Sequence, residues 1–345
     1  MKLYVQIKKA LRDFALEVEF STSDEVFALL GASGCGKSMT LKIIAGIETP
    51  DEGKIILNGR TLFDSDKKIN LPPQARRVGY LFQNYALFPN MTVAENILLA
   101  AVGSRDEKLS RLKENLSRFK LDGLENSYPR ELSGGQQQRV AFARILASHA
   151  EILLLDEPFS ALDSYLKWQL ELELAGILKS YNGAAVLVSH DRGEVFRLAN
   201  RIAVMNHGQI EAVNTKHELF HNPATVAATL LTGCKNISGA KKISDDKLFA
   251  EDWQLTLTHE KIPDELKFIG IRAHLLEYRS EAGENVFRME VVQVVEDTFS
   301  YIVMVRFTES AKMIRWEVEK KFWRKTNASE IFLYIPTDKI ILLNG

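Results

Sequence analysis

The sequence predicts an α/β fold built on a parallel sheet, with a helical region inserted into it, followed by a small all-β domain. Short, wholly apolar runs at 26–30, 152–155 and 184–188 are typical of strands buried on both faces of a parallel sheet. Helical patterns separate these runs, as in other α/β domains. Beyond Pro223 the chain becomes a succession of short strands and turns, which indicates a second domain.

Length and composition narrow the protein class. A chain of 345 residues exceeds what one hydrophobic core usually serves, and we expect two domains, 1–230 and 236–345, with a linker over 230–238. The 44 Lys and Arg residues balance 45 Asp and Glu residues, so the chain has no net positive charge that would attract nucleic acid. Cys35 and Cys234 lack metal-ligand spacing, which predicts a reducing compartment without zinc or a disulfide. No apolar run approaches the length of a membrane span, and we expect a cytoplasmic protein.

A glycine-rich segment follows the first apolar run and matches G-x-x-x-x-G-K-[ST] at every fixed position. The residues are Gly31, Ala32, Ser33, Gly34, Cys35, Gly36, Lys37 and Ser38, and the helical pattern begins at Met39. Glycines let several backbone N–H groups converge on one anion, at the positive end of the new helix. The motif predicts a nucleotide phosphate site in which Lys37 reaches the β- and γ-phosphates and Ser38 contacts Mg²⁺, and we include Met39 among the nucleotide contacts.

Several further elements can be placed along the chain. Alternation over residues 3–20 predicts two antiparallel strands that form a small sheet beside the nucleotide. Residues 54–59 predict a strand with its own turn, and 78–82 predict a buried strand that ends at Gln83. The stretch from Val93 to about Lys120 is helical, within a helical subdomain of about 84–146.

Polar motifs lie at the start of the next predicted helix and at the ends of the next two predicted strands. Leu132-Ser133-Gly134-Gly135-Gln136 immediately precedes a helix over 137–147, where a serine and two glycines make a second anion site. The strand at 152–155 ends in Asp156-Glu157, followed by Ser160-Ala161-Leu162-Asp163, and the strand at 184–188 ends in Ser189-His190. The carboxyl ends of parallel strands are where α/β proteins place their chemistry.

In this order the motifs resemble those of the nucleotide-binding subunit of an ABC transporter, over residues 1 to about 230. The resemblance implies an α/β P-loop ABC ATPase domain with an inserted helical subdomain. It implies that Glu157 polarises the attacking water and that Ser38, Gln83 and Asp156 contact Mg²⁺. Gln83 would also contact the water and report the nucleotide state, and His190 would contact the γ-phosphate as a neutral imidazole donor.

The same resemblance implies a second copy of the chain. In this family the signature loop covers the nucleotide of a partner cassette, so two copies pair head to tail around two ATP molecules. Ser133, Gly134, Gly135 and Gln136 would contact the partner's nucleotide, with Asp163 at the joint. The residue that stacks on adenine stays unassigned, because Phe14 and Arg12 are the only candidates upstream of the phosphate loop.

Two further regions narrow the subfamily. Residues 84–89 and the C-terminal segment are similar to importer ATPases for molybdate, sulfate, sugars, iron and polyamines. Residues 189–194, 196–198 and 233–238 look most like the molybdate branch. We therefore expect the motor subunit of an importer for molybdate, or for tungstate or sulfate, with a sugar, iron or polyamine importer as the alternative. It would lie on the inner face of the cell membrane and contact integral-membrane permease subunits near Gln83–Pro89, with an extracytoplasmic solute-binding protein acting indirectly.

Other classes fit less well. ABC ATPases that act on DNA or the ribosome carry a long coiled coil or two cassettes, and a P-loop kinase or GTPase has no use for the signature loop. The C-terminal domain resembles the oligonucleotide-fold-like, TOBE- or MOP-type domain of these importers. It would either bind an oxyanion, with Lys241, Lys242, Ser238 and Thr298 as candidates, or serve only in dimerisation.

Overall fold

A computed structural model describes residues 2–160, 164–181, 183–326 and 328–344, and the chain divides into two compact units, Met1–Lys216 and His217–Gly345. The strands of the first unit are β1 (Leu3–Ala10), β2 (Ala15–Thr22), β3 (Val26–Leu30), β4 (Glu52–Leu57), β5 (Arg60–Asp64), β6 (Ile69–Asn70), β7 (Val78–Leu81), β8 (Ile152–Asp156), β9 (Ala184–Ser189), β10 (Arg201–Asn206) and β11 (Gln209–Thr215). Its helices are α1 (Lys37–Ala45), α2 (Pro73–Arg76), α3 (Val93–Ala100), α4 (Arg105–Arg118), α5 (Gly134–Ala147), α6 (Ser164–Ser180) and α7 (Arg192–Leu198).

One eleven-stranded sheet runs through this unit, in the order β6-β5-β4-β1-β2-β11-β10-β3-β9-β8-β7. The strands β10, β3, β9, β8 and β7 are parallel neighbours, and β8 and β9 are buried along their whole length. β1 and β2 pair antiparallel as predicted, but they continue this sheet instead of forming a separate small one. Their alternate buried side chains, such as Leu3, Val5 and Val18, join the common core.

The helical region contains two capped helices where one was predicted over 93–120. Thr92 and Ser104 each accept a hydrogen bond from the backbone N–H three residues on, and each capping box is closed by a glutamate. Gly103, with φ of 119°, lies in the break between them. A capping box fixes where a helix begins, so α4 starts anew at Arg105.

The second unit is rich in strands but is not all-β. Its strands are β12 (Asn236–Lys242), β13 (Lys247–Ala250), β14 (Leu255–Thr258), β15 (Phe268–Ile271), β16 (Glu277–Arg279), β17 (Val286–Glu296), β18 (Ser300–Arg306), β19 (Ile314–Glu319), β20 (Glu330–Tyr334) and β21 (Ile341–Leu343). They form two five-stranded sheets, β14-β13-β12-β15-β21 and β16-β20-β17-β18-β19. Three helices accompany them: α8 (Lys216–His221), α9 (Val226–Leu231) and α10 (Lys320–Thr326).

The division between the units lies earlier in the chain than the sequence indicated. The predicted linker contains the end of α9 and the start of β12. The Arg272 guanidinium donates hydrogen bonds to the backbone oxygens of Phe220 and Thr232, which attaches this helical segment to the strand-rich unit. A charged donor shared between two carbonyls holds segments that are distant in sequence, and no local pattern signals it.

Candidate active site

The phosphate-loop sequence folds as a tight turn between β3 and α1. Gly36 has φ of 106°, and a Cβ atom there would approach the Leu16 side chain to 2.7 Å, so both conformation and space require glycine. Lys37 is almost completely buried, and its ammonium group donates to the carbonyl oxygens of Gly31 at 2.9 Å and Ala32 at 2.8 Å. The Cys35 Sγ atom lies 3.8 Å from the Lys37 Nζ atom, and burial raises the pKa of this thiol. The loop therefore encloses one positive charge.

A buried carboxylate faces the start of α1. Asp156 ends β8, and its Oδ1 atom accepts a hydrogen bond from the Ser38 hydroxyl at 2.7 Å. Its Oδ2 atom accepts from the Tyr80 hydroxyl on β7 at 2.8 Å. Burial and the Asp156 charge raise the pKa of Tyr80, which keeps this hydroxyl protonated as a donor. Residues on three elements thus fix the carboxylate in one orientation.

The next residue along the chain has a strained backbone. Glu157 has φ of 43°, in the left-handed region that costs energy for a residue with a Cβ atom, and its N–H donates to Val188 O at 3.0 Å. Its Oε1 atom lies 3.2 Å from Nδ1 of His190, which follows β9. The carboxylate is 17% exposed and the imidazole 52% exposed. The pair is therefore open to solvent on the histidine side.

An open cleft of about 510 Å³ lies at this edge of the sheet. Its lining residues are Ser38, Lys42, Phe82, Gln83, Asn84, Asp156 and Ser160. β7, β8, β9 and β3 are consecutive parallel strands, so the segments that follow them meet at one edge. The structure thereby gathers the phosphate loop, Gln83, Asp156, Glu157 and His190, which lie far apart in the sequence.

The signature residues are placed apart from this cleft. Ser133 caps α5, where its hydroxyl accepts from Gln136 N at 3.3 Å and its own N–H donates to Gln136 Oε1 at 2.8 Å. Ser133 and Gly134 are exposed, and neither lines the cleft. Asp163, Ala161 and Leu162 lie outside the described residues. The signature residues of one chain therefore present a solvent-exposed helix start.

Comparisons with known proteins bear on this arrangement. Residues 15–160 match the family model described as ABC transporter. A solved structure titled as a dimeric, post-hydrolysis state of the ATP-binding cassette MJ0796, bound to ADP and Pi, superposes with a TM-score of 0.53 at 29% identity, over 63% of this chain and 99% of that one. The N-terminal unit has the ABC ATPase fold. Enzymes with this fold hydrolyse ATP and use Mg²⁺.

Two curated relatives extend the comparison. The chain is 44% identical over 234 residues to the spermidine/putrescine import ATP-binding protein PotA of Methylococcus capsulatus, which is 66% of this chain and 58% of the relative. It is 43% identical over 224 residues to the sulfate/thiosulfate import ATP-binding protein CysA of Pseudomonas aeruginosa, which is 63% of this chain and 65% of the relative. The match thus spans a little over half to two thirds of the relatives' length, and neither name mentions molybdate.

The first unit contains oxygen ligands suited to Mg²⁺. Among the described residues, no three His, Cys, Asp or Glu side chains cluster as a protein-only metal site. The Ser38 hydroxyl and Asp156 carboxylate are adjacent, and Gln83 lines the same cleft. Mg²⁺ bound with a nucleotide takes only one or two protein oxygens and completes its shell with phosphates and water. The donor set fits this ion.

Sequence reasoning missed three residues that support the candidate site. Tyr80 orients Asp156, but an aromatic residue inside a strand gives no signal of that role. On α5, Gln138 donates to Pro158 O at 3.0 Å, one residue beyond Glu157. Arg144, on the same helix, donates to Ala86 O at 2.7 Å and Tyr85 O at 2.9 Å, and both acceptor residues have positive φ. α5 thus connects the signature start to two loops at the cleft.

The candidate oxyanion residues of the second unit do not converge. Lys241 pairs with Glu251 at 2.5 Å, and Lys242 pairs with Asp264 at 2.7 Å. The buried Ser238 hydroxyl donates to Gly239 O at 2.8 Å, and Thr298 lies in the β17–β18 turn of the other sheet. An anion at either lysine would have to displace a carboxylate.

No helix within the described ranges is both long and apolar enough to cross a membrane.

Proposed function

We propose that this chain is the ATP-hydrolysing subunit of an ABC importer. The observation that carries the proposal is the meeting of the phosphate loop, Gln83, Asp156, Glu157 and His190 at the ends of four adjacent parallel strands. Relatives named as import ATP-binding proteins support the importer class.

Each group has a defined task in hydrolysis. Lys37 and the loop N–H groups bind the β- and γ-phosphates, and the Lys37 charge favours the anionic transition state. Glu157 accepts a hydrogen bond from the attacking water and aligns it on the γ-phosphorus atom. Ser38, Gln83 and Asp156 would hold Mg²⁺, which neutralises charge on the phosphate oxygens. The fixed Ser38–Asp156 contact means that little rearrangement is needed when the nucleotide binds.

The contact between His190 and Glu157 constrains the tautomer of the imidazole. Because Nδ1 faces a carboxylate oxygen, Nδ1 carries the proton in this arrangement. A neutral ring protonated there has only an acceptor at Nε2 and cannot donate to the γ-phosphate. The predicted role of His190 as a neutral donor to the γ-phosphate therefore requires the ring to turn away from Glu157.

A head-to-tail dimer completes the site. Ser133 and Gly134 are exposed at the start of α5, where the Ser133 hydroxyl and the Gly134 N–H group can face a partner's γ-phosphate. A mixture of Ser133→Arg and Lys37→Ala chains tests this pairing, because each variant alone has no intact site while the mixed dimer keeps one. We expect the mixture to recover ATP-dependent dimers and part of the activity. No recovery would contradict the head-to-tail arrangement.

The segment Gln83–Pro89 would contact the membrane permease. Arg144 holds the carbonyls of Tyr85 and Ala86, and its guanidinium lies 5.8 Å from the Phe88 ring centre, with Phe88 itself exposed. A rotation of α5 on ATP binding would therefore move this segment with it. This couples the signature loop to the permease contact.

For the transported solute we propose a tetrahedral oxyanion. Motifs similar to the molybdate branch and a sulfate/thiosulfate relative both favour this class, while the PotA relatives favour a polyamine. Vesicles containing the chain with its permease should take up labelled molybdate or sulfate and not spermidine. Uptake of spermidine alone would assign the polyamine class.

The basic activity has a direct test with a charge-matched control. Purified chain should hydrolyse ATP only with Mg²⁺, and Lys37→Ala should abolish nucleotide binding. Lys8→Ala removes a lysine whose side chain is 55% exposed and should leave binding unchanged. Equal nucleotide affinity in both variants would contradict the assignment of the phosphate loop.

A further inference from the structure

A second cavity lies within the first unit, at the C-terminal end of α5. It has a volume of about 320 Å³ and is bordered by α4, the end of α5 and the chain that follows α6. Its polar lining groups include the side chains of Arg111, Glu114, Arg118, His149 and Tyr181 and the backbone of Ala150. None of them lines the cleft at the phosphate loop.

The cavity holds an arginine with an unused donor. The Nη1 atom of Arg111 is buried and has no hydrogen-bond partner among the described residues. Within the same ranges, Arg111, Glu114 and Arg118 form no ion pair at 4.0 Å or less, although all three border the cavity. A buried guanidinium nitrogen without an acceptor is costly, and such an atom indicates a missing acceptor.

The other polar groups leave room for that acceptor to be an anion. The Tyr181 hydroxyl is already used as a donor to Ala150 O at 2.6 Å, and burial raises the pKa of Tyr181 to about 12, so it stays neutral. Arg118 donates to Ser180 and keeps further N–H groups. Arg111 and Arg118 bring two guanidinium groups to the cavity, beside the carboxylates of Glu114, which lines it, and Glu107, whose charge interacts with Arg111. The remaining guanidinium N–H groups are the donors left for an added acceptor.

We propose that this cavity binds a small oxyanion of the phosphate or sulfate type. Arg111 and Arg118, about two turns apart on α4, present fork-shaped donors that match tetrahedral oxyanions. The bound anion would accept hydrogen bonds from both guanidinium groups, next to the Tyr181–Ala150 contact that borders the cavity. This inference does not rest on the proposed importer function.

The test must separate this site from the phosphate loop, which also binds phosphate. Lys37→Ala in the full chain removes the loop's ammonium group, and all measurements use this background. Isothermal titration with sodium phosphate and with sodium sulfate, against sodium chloride at matched ionic strength, should show binding of both oxyanions. Adding Arg111→Gln should weaken binding by about tenfold or more, the effect of losing one charge-assisted hydrogen bond.

Two further variants control for charge and folding. Arg105→Gln removes an exposed arginine from the same helix, outside the cavity, and should leave the affinity unchanged. Arg118→Gln should weaken binding as Arg111→Gln does, and provides a second route if Arg111→Gln lowers the melting temperature in chloride. Absence of binding in the Lys37→Ala background would overturn the proposal. Equal affinities in the Arg111, Arg118 and Arg105 variants would also overturn it.

Discussion

Tyr80→Phe isolates the support of the Asp156 carboxylate by deleting a single oxygen atom. The hydroxyl donates to Asp156 Oδ2 at 2.8 Å in a buried setting, and the aromatic ring is retained. A hydrogen bond to a charged group contributes about 1.5–3 kcal/mol to the free energy of unfolding. For a unit of this size, 1 kcal/mol corresponds to about 2–4 °C in melting temperature, so we expect a loss of about 3–12 °C.

Differential scanning calorimetry measures this loss. The transition of the first unit is identified by its upward shift when nucleotide is added, because a ligand stabilises the unit that binds it. Tyr4→Phe is the matched control, since Tyr4 donates to the carboxylate of Glu19 at 2.9 Å in an exposed setting. The control should shift the melting temperature by less than about 2 °C. Equal shifts for Tyr80→Phe and Tyr4→Phe would refute the argument that burial makes the Asp156 contact strong.

Three other substitutions test separate parts of the account. Gly36→Ala should destabilise the first unit by about 1–3 kcal/mol in urea unfolding, because of its positive φ and the Leu16 contact, and an unchanged midpoint would contradict the loop geometry. Gly176→Ala, inside α6 with open space around it, should instead stabilise by about 0.5–1 kcal/mol, and destabilisation would show that the helix is crowded there. Arg144→Gln should lower permease-stimulated ATP hydrolysis more than basal hydrolysis, and equal losses would contradict its role in coupling.

Most of the first unit's fold could be predicted from its strands. β3 is wholly apolar, and β8 and β9 are apolar up to their last residues, Asp156 and Ser189; a run of that kind fits a strand buried on both faces. The joining of β1 and β2 to the same sheet could not be predicted, since it depends on pairing with β4 and β11, far along the chain. The break between α3 and α4 had a local signal in Gly103 and Ser104, the glycine and N-cap residue that separate them.

The site was predictable where a motif fixes both residue type and spacing, as in the phosphate loop. It was not predictable where long-range contacts set the role. Tyr80, Gln138 and Arg144 act through partners 76, 20 and 58 residues away in the sequence. The contact between His190 and Glu157, 33 residues apart, likewise has no signal in the local sequence.

Glu157→Gln tests the central claim most directly, because it removes the proposed base and keeps an oxygen acceptor for the His190 contact. Single-turnover hydrolysis of ATP with Mg²⁺ should slow by about 10²–10⁴-fold, the usual contribution of a general base, while the affinity for ATP stays within a few-fold. Glu151→Gln, immediately before the opposite end of β8, is the control and should leave the rate unchanged. Near-normal hydrolysis by the Glu157→Gln chain would contradict the assignment of this carboxylate to the attacking water.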